Sequence, residues 1–125
     1  MESTLNTQRS GDCPLNHALS LIGGKWRLPI IWALNRSGTL RYNELKRRLP
    51  GVTSMMLTQV LKDLETYGIV RRTQYPEIPP RVEYTLTDTG KSLIPALESL
   101  ARWGKQMQER SAAPAQAPAA EEAPR

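Results

Sequence analysis

The chain has 125 residues, enough for one ordinary domain, and carries seventeen Lys and Arg against twelve Asp and Glu. Its single cysteine excludes an internal disulfide framework, and no apolar run approaches the ~20 residues that span a bilayer. The first residues, MESTLNTQRSGD, lack a basic stretch followed by an apolar one, so no secretory signal is read there and a cytoplasmic protein is expected.

Residues 1–11 show no apolar periodicity and are expected to form a disordered arm. From Pro14, PLNHALSLI places Leu15, Ala18, Leu19 and Ile22 at helical spacing, with proline in the first turn and Gly23-Gly24 as the stop. The next segment, KWRLPIIWALNR, is apolar nearly all round at Trp26, Leu28, Ile30, Ile31, Ala33 and Leu34, the pattern of a central core helix. Pro29 lies about one turn inside it, where a missing N–H is tolerable. A short strand is read at Thr39–Arg41 and a short helix from Tyr42 to Leu49, stopped by Pro50-Gly51. TSMMLTQVLKDLETYG then forms an amphipathic helix capped by Thr53 or Ser54 and ended by Gly68.

Two β-branched runs, IVRRTQ and VEYTL, follow as strands on either side of YPEIPP. Three prolines in that connection make a long, stiff hairpin tip. TDTGKSLIPALESLARWGKQMQER is read as one long helix with Leu93, Leu97, Leu100, Ala101 and Gly104 on one side. The end from Ser111, rich in Ala, Pro and Glu, is expected to be a disordered tail, which leaves residues 12–110 as the folded domain. The expected fold is therefore mainly α with a small β-hairpin. Two helices across a tight turn, followed by a hairpin, make a winged helix-turn-helix.

Charge is concentrated in the middle. Between Arg41 and Arg81 stand eight basic residues and four acidic ones, a balance that favours a polyanionic partner such as double-stranded DNA. A merely solubilising surface is the bland alternative. If Leu57, Val60, Leu61 and Leu64 face inward, then Met55, Gln59, Lys62 and Thr66 face outward, flanked by Met56, Thr58 and Asp63. Residues near the start of a recognition helix reach base edges. Ser54 and Met55 open this helix, and Met55 suits a thymine methyl. Gln59 suits adenine, Thr58 suits base or phosphate, and Lys62 suits phosphate.

Arg41, on the preceding strand, and Arg72 and Arg81, at the hairpin, complete the candidate DNA-binding set. Adjacent Arg71 and Arg72 point to opposite sheet faces, so at most one of them meets the duplex directly. A solvated helix face and solvated arginines are the structural alternative.

Cys13 sits at the start of the first helix, where N-terminal N–H groups favour a thiolate. It is a candidate redox-sensing residue or, alternatively, a buried inert thiol. His17 lies one turn on, but two ligands do not make a zinc site, and no metal or cofactor is expected. No glycine-rich phosphate loop or oriented nucleophile occurs, so no enzyme is expected. Trp26, Trp32 and Tyr67 are assigned to the core.

Three segments, CPLNHALSLIGGKWRLPIIWAL, GTLRYNELKRRLPGVTSMMLTQVLKDLETYGIVRR and YPEIPPRVEYTLTDTGKSL, together resemble the HxlR-type transcriptional regulators, relatives of the MarR winged-helix proteins. The resemblance runs from Cys13 to about Gly104. It implies a homodimeric bacterial regulator on a pseudo-palindromic operator, with dimer contacts from the terminal helices. Leu15, Leu93, Leu97, Leu100, Trp103 and Gly104 are the candidate dimerisation residues. Some family members sense oxidants or electrophiles through a cysteine placed like Cys13. Pro29 and Met55-Met56 depart from the family pattern, and the second departure leaves the operator sequence open. Two other readings stand beside this one. One is a winged helix that binds proteins without specific DNA binding; the other is a regulator that takes a small aromatic effector near Trp103 at the dimer interface.

Overall fold

Pro14 opens α1 (Pro14–Ile22) in a position whose N–H would lack an intrahelical partner anyway. The structure, a computed structural model, describes residues 13–112. The expected arm, 1–11, and all of the expected tail from Ser111 except its first two residues lie outside the described residues; Ser111 and Ala112 are helical, because alanine and the helix preceding it carry the last turn on. Only Ile22 of the α1 stripe is buried, while Leu15 and Leu19 are 66% and 49% exposed.

The second helix, α2 (Arg27–Ser37), is the centre of the core: Ile30, Ile31 and Leu34 are at most 1% exposed. Pro29 stands at its third position, still within the first turn whose N–H groups lack partners, so the helix continues through it. Trp26 and Trp32 are half-buried and Tyr67 is exposed, so the three aromatic residues assigned to the core lie at its margin. Their size explains this, since a large ring is seldom fully covered in a small domain.

β1 (Thr39–Arg41) leads directly into α3 (Tyr42–Arg48), whose Leu45 is fully buried. In α4 (Ser54–Thr66) the Thr53 hydroxyl accepts a bond from the Met56 N–H at 3.1 Å, capping the first turn. Leu57, Leu61 and Leu64 are at most 2% exposed, each contributing ~1.5–3 kcal/mol of burial. Val60 is only half-buried, at the edge of that stripe. Gly68, at φ +76°, turns the chain out of the helix.

β2 (Val70–Tyr75) and β3 (Arg81–Leu86) form the hairpin, and β1 joins it to give a three-stranded antiparallel sheet in the order β1-β3-β2. Leu40 lies opposite Tyr84, and Val70 opposite Leu86; these four buried side chains form the face turned to the core. The fold is mainly helical with a small sheet, the winged helix-turn-helix expected.

Beyond the hairpin the Thr87 N–H donates to the Ile69 carbonyl at 3.0 Å, and the Thr87 hydroxyl accepts from the Gly90 N–H at 3.0 Å. This seats α5 (Asp88–Ser92) so closely that a Cβ on Gly90 would lie 2.3 Å from the Ile69 oxygen. Only glycine fits there. The chain divides into two compact units between Lys91 and Ser92. The second consists, among the described residues, chiefly of α6 (Ile94–Ala112).

The single long final helix expected from the sequence is thus two, with a turn at Leu93. Pro95 accounts for the break, because it has no N–H to donate to the Lys91 carbonyl and its ring would collide with that oxygen. Among the described residues, no helix is long and apolar enough to cross a membrane.

Candidate nucleic-acid interface

The residues expected to face outward on α4, Met55, Gln59, Lys62 and Thr66, are exposed, Met55 by 82%, and so are Ser54 at its start and the flanking Thr58. Two of these side chains are held in place. The Tyr42 hydroxyl lies 2.9 Å from the Ser54 carbonyl and 3.2 Å from Thr58 Oγ1. A carbonyl can only accept, so tyrosine's one hydrogen goes to Ser54 and Thr58 must donate to Tyr42. The exposed Thr58 therefore keeps its acceptor lone pairs uncommitted to Tyr42.

Gln59 Nε2 donates to Asp63 Oδ1 at 2.9 Å, one helical turn on. Because a carboxylate only accepts, this bond fixes which end of the amide is nitrogen. The carbonyl oxygen and the second N–H of Gln59 are left free, one acceptor and one donor as bidentate pairing with adenine requires. The other oxygen of Asp63 pairs with Arg27 Nη2 at 3.0 Å, both side chains being largely buried at 20% and 27% exposure. Arg27 Nη1 donates to the Ser20 and Leu21 carbonyls at 2.9 and 3.3 Å, near the end of α1. Its guanidinium also lies over the Tyr67 ring.

Beside Tyr42, an open groove of about 590 Å³ is lined by Arg41, Tyr42, Asn43, Arg47, Pro80 and Arg81, among others. It joins the start of α3 to the tip end of the hairpin. Arg41 is exposed, and its backbone N–H donates to Glu44 Oε1 at 2.8 Å, which occupies that carboxylate locally.

Arg81 is differently placed. Nη2 pairs with Glu77 at 2.8 Å, Nη1 with Glu83 at 3.1 Å, and the guanidinium lies 3.9 Å from the Tyr75 ring centroid. Its charge is answered within the hairpin. The strand register also separates the arginines: Arg41 and Arg81 share a face with Glu83, Arg71 and Tyr75, whereas Arg72 belongs to the face of Leu40 and Tyr84 although it is itself exposed.

Cys13 is exposed at the N-cap of α1, and its carbonyl accepts from the His17 N–H at 2.9 Å. A buried inert thiol is not what the chain by itself displays. The candidate dimerisation residues divide. Leu15, Leu100 and Trp103 are 66%, 52% and 58% exposed, Gly104 is half-buried, and Leu97 is only 7% exposed. Leu93 lies in the turn before α6, with its carbonyl accepting from Ala96 and Leu97, both at 3.1 Å.

Sequence reasoning missed Tyr42, Arg27 and the counter-charges on Arg81. Glu83 was detectable, because residues two apart in a strand share a face. The Tyr42 and Arg27 contacts span twelve and thirty-six residues, and nothing local in the sequence signals them.

The HxlR-like helix-turn-helix family profile matches residues 21–112. A protein of Methanothermobacter thermautotrophicus named as an HTH-type transcriptional regulator is 48% identical over 93 residues, covering 74% of this chain and 70% of its own. The crystal structure of a protein described as an HTH-type transcriptional regulator, YtcD, superposes with a TM-score of 0.75 at 41% identity, over 78% of this chain and 99% of that one. The oxidised form of a protein described as the redox regulator HypR does so with a TM-score of 0.70 at 40% identity, over 75% and 96%. With its winged fold and the outward polar face of α4, the chain belongs to the HxlR-like helix-turn-helix family of transcriptional regulators.

Proposed function

We propose that this regulator binds DNA sequence-specifically as a homodimer on a pseudo-palindromic site, with α4 in the major groove. The observation that carries the reading is the α4 face itself, where Thr58 and Gln59 are exposed yet each is held by a neighbouring side chain, leaving free groups outward. Polar side chains held in one orientation lose little entropy on docking. Met55 supplies apolar contact for a thymine methyl, Ser54 and Lys62 meet phosphates, and Arg41 meets backbone from the groove beside Tyr42. Arg72 reaches phosphate from the other sheet face. Arg81 serves chiefly by stiffening the hairpin that lies along the duplex, since its charge is already paired.

In the dimer a second copy covers Leu15, Leu100 and Trp103, large apolar side chains that a single chain leaves exposed. Leu93 and Gly104 border that contact, and Leu97, already buried, supports it from within the chain. Cys13 is the sensing residue: it is exposed at a helix start, and a structural relative is described as a redox regulator. A gel shift on DNA upstream of the protein's own gene, titrated with salt, tests the proposal. Wild type should prefer that DNA to a scrambled duplex, and simultaneous alanine substitution of Met55, Thr58 and Gln59 should erase the preference. Equal binding to both duplexes by the wild type would favour a protein-interaction module instead.

A further inference from the structure

The contacts behind α4 have a consequence for how it reads sequence. Gln59 and Asp63 are one turn apart on the same helix, and the Asp63 carboxylate is shared: Oδ1 accepts from Gln59 and Oδ2 pairs with Arg27 at the start of α2. A carboxylate alone on a surface that approaches phosphates would repel them, and free glutamine would sample many rotamers. Arg27 answers the first problem by neutralising Asp63. The fixed carboxylate answers the second by holding the Gln59 amide in one orientation. Arg27 is itself held by the Ser20 and Leu21 carbonyls and by the Tyr67 ring, so the chain of contacts ends on backbone.

We infer that Arg27 and Asp63 are positioning residues that set the Gln59 amide for base readout, an inference that rests on the DNA-binding reading above. Neither residue touches the base. They decide which edge of the glutamine faces it. A purely structural staple between α2 and α4 would use the same ion pair but would leave the readout by Gln59 independent of it.

The test is a double-mutant cycle on a selected operator duplex and on a scrambled duplex, using Gln59→Ala in the wild type and in Arg27→Gln and Asp63→Ala backgrounds. Thermal melting establishes that each variant is folded at the assay temperature. In the wild type, Gln59→Ala should weaken operator binding roughly 5- to 150-fold, the range of one good bidentate base contact, and change scrambled binding little. In either background the same substitution should have only a small effect, because the glutamine has already lost its orientation.

Side-chain amide resonances supply a readout that needs no DNA. Arg27→Gln in the free protein should move the Gln59 amide pair and leave that of Gln74 in place. An equal fold loss from Gln59→Ala in all three backgrounds, or an unmoved Gln59 amide, overturns the positioning role while leaving DNA reading by Gln59 intact. No loss from Gln59→Ala in the wild type overturns that reading, and the inference with it.

Discussion

Arg81 should contribute almost nothing to the salt dependence of DNA binding, although it stands beside the tip of the wing. Its two terminal nitrogens lie 2.8 and 3.1 Å from Glu77 and Glu83, so the cluster of three carries a net charge of −1. A free arginine that neutralises one phosphate steepens log K against log salt by about 0.9, which amounts to about 3.5-fold in affinity between 50 and 200 mM. Arg41, exposed beside the groove, should behave in that way, and Arg41→Ala should flatten the slope by about 0.9.

Arg81→Ala should leave the slope nearly unchanged. It removes two partly exposed ion pairs and the Tyr75 stacking contact, so the hairpin should lose about 1–2 kcal/mol of local stability. Glu77→Gln combined with Glu83→Gln releases the guanidinium and should steepen the slope. Fluorescence anisotropy with a labelled duplex at four or five salt concentrations reads all three variants. If Arg81→Ala flattened the slope as much as Arg41→Ala, the paired arginine would be a phosphate contact after all and the proposed division of labour would be wrong.

Gly90→Ala should destabilise the protein by about 1–3 kcal/mol, because the added carbon meets the Ile69 oxygen at 2.3 Å; an unchanged melting temperature would contradict that packing. Trp103→Glu and Leu100→Glu should yield folded monomers in sedimentation, whereas Leu97→Glu, at a site buried within one chain, should lower the melting temperature first. A dimer that persists in both Trp103→Glu and Leu100→Glu would put the interface elsewhere. Diamide or a quinone should change operator affinity by roughly 5- to 150-fold, the usual span of allosteric coupling, and Cys13→Ser should remove the response with basal binding intact. A response that survives in Cys13→Ser would rule out that residue as the sensor.

Periodicity and turn residues were enough to place the elements as far as the hairpin. Pro14–Ile22 and Thr39–Arg41 appear in the structure with the boundaries expected, and α4 starts and stops at the cap and glycine the sequence shows. These are local signals, written within a few residues of where they act. Pro95 is equally local, but the apolar stripe of Leu93, Leu97 and Leu100 runs across it at helical spacing and masks the break.

The site was legible as a set of residue types and less so as a surface. Helical geometry put Met55, Gln59, Lys62 and Thr66 outward with Thr58 flanking, and the structure has all five exposed. That geometry could not show that Glu77 reaches Arg81 from the tip, nor that Arg72 and Arg41 lie on opposite sheet faces, since these depend on tip geometry and strand register. The hold of Tyr42 on Thr58 and of Arg27 on Asp63 is tertiary, and no spacing along the chain announces it.

Sequence-selective reading by α4 is tested most directly by selecting bound duplexes from a random pool and measuring the affinity of the winner against a scrambled version. The expected result is a motif of two inverted half-sites about 10 base pairs apart, bound at least ~10³-fold more tightly than the scrambled duplex at physiological salt. That preference should fall sharply in Gln59→Ala and Thr58→Ala, the two side chains that neighbouring residues hold in place on the exposed face. A pool that yields no motif, with equal affinity for selected and scrambled duplexes, would contradict it.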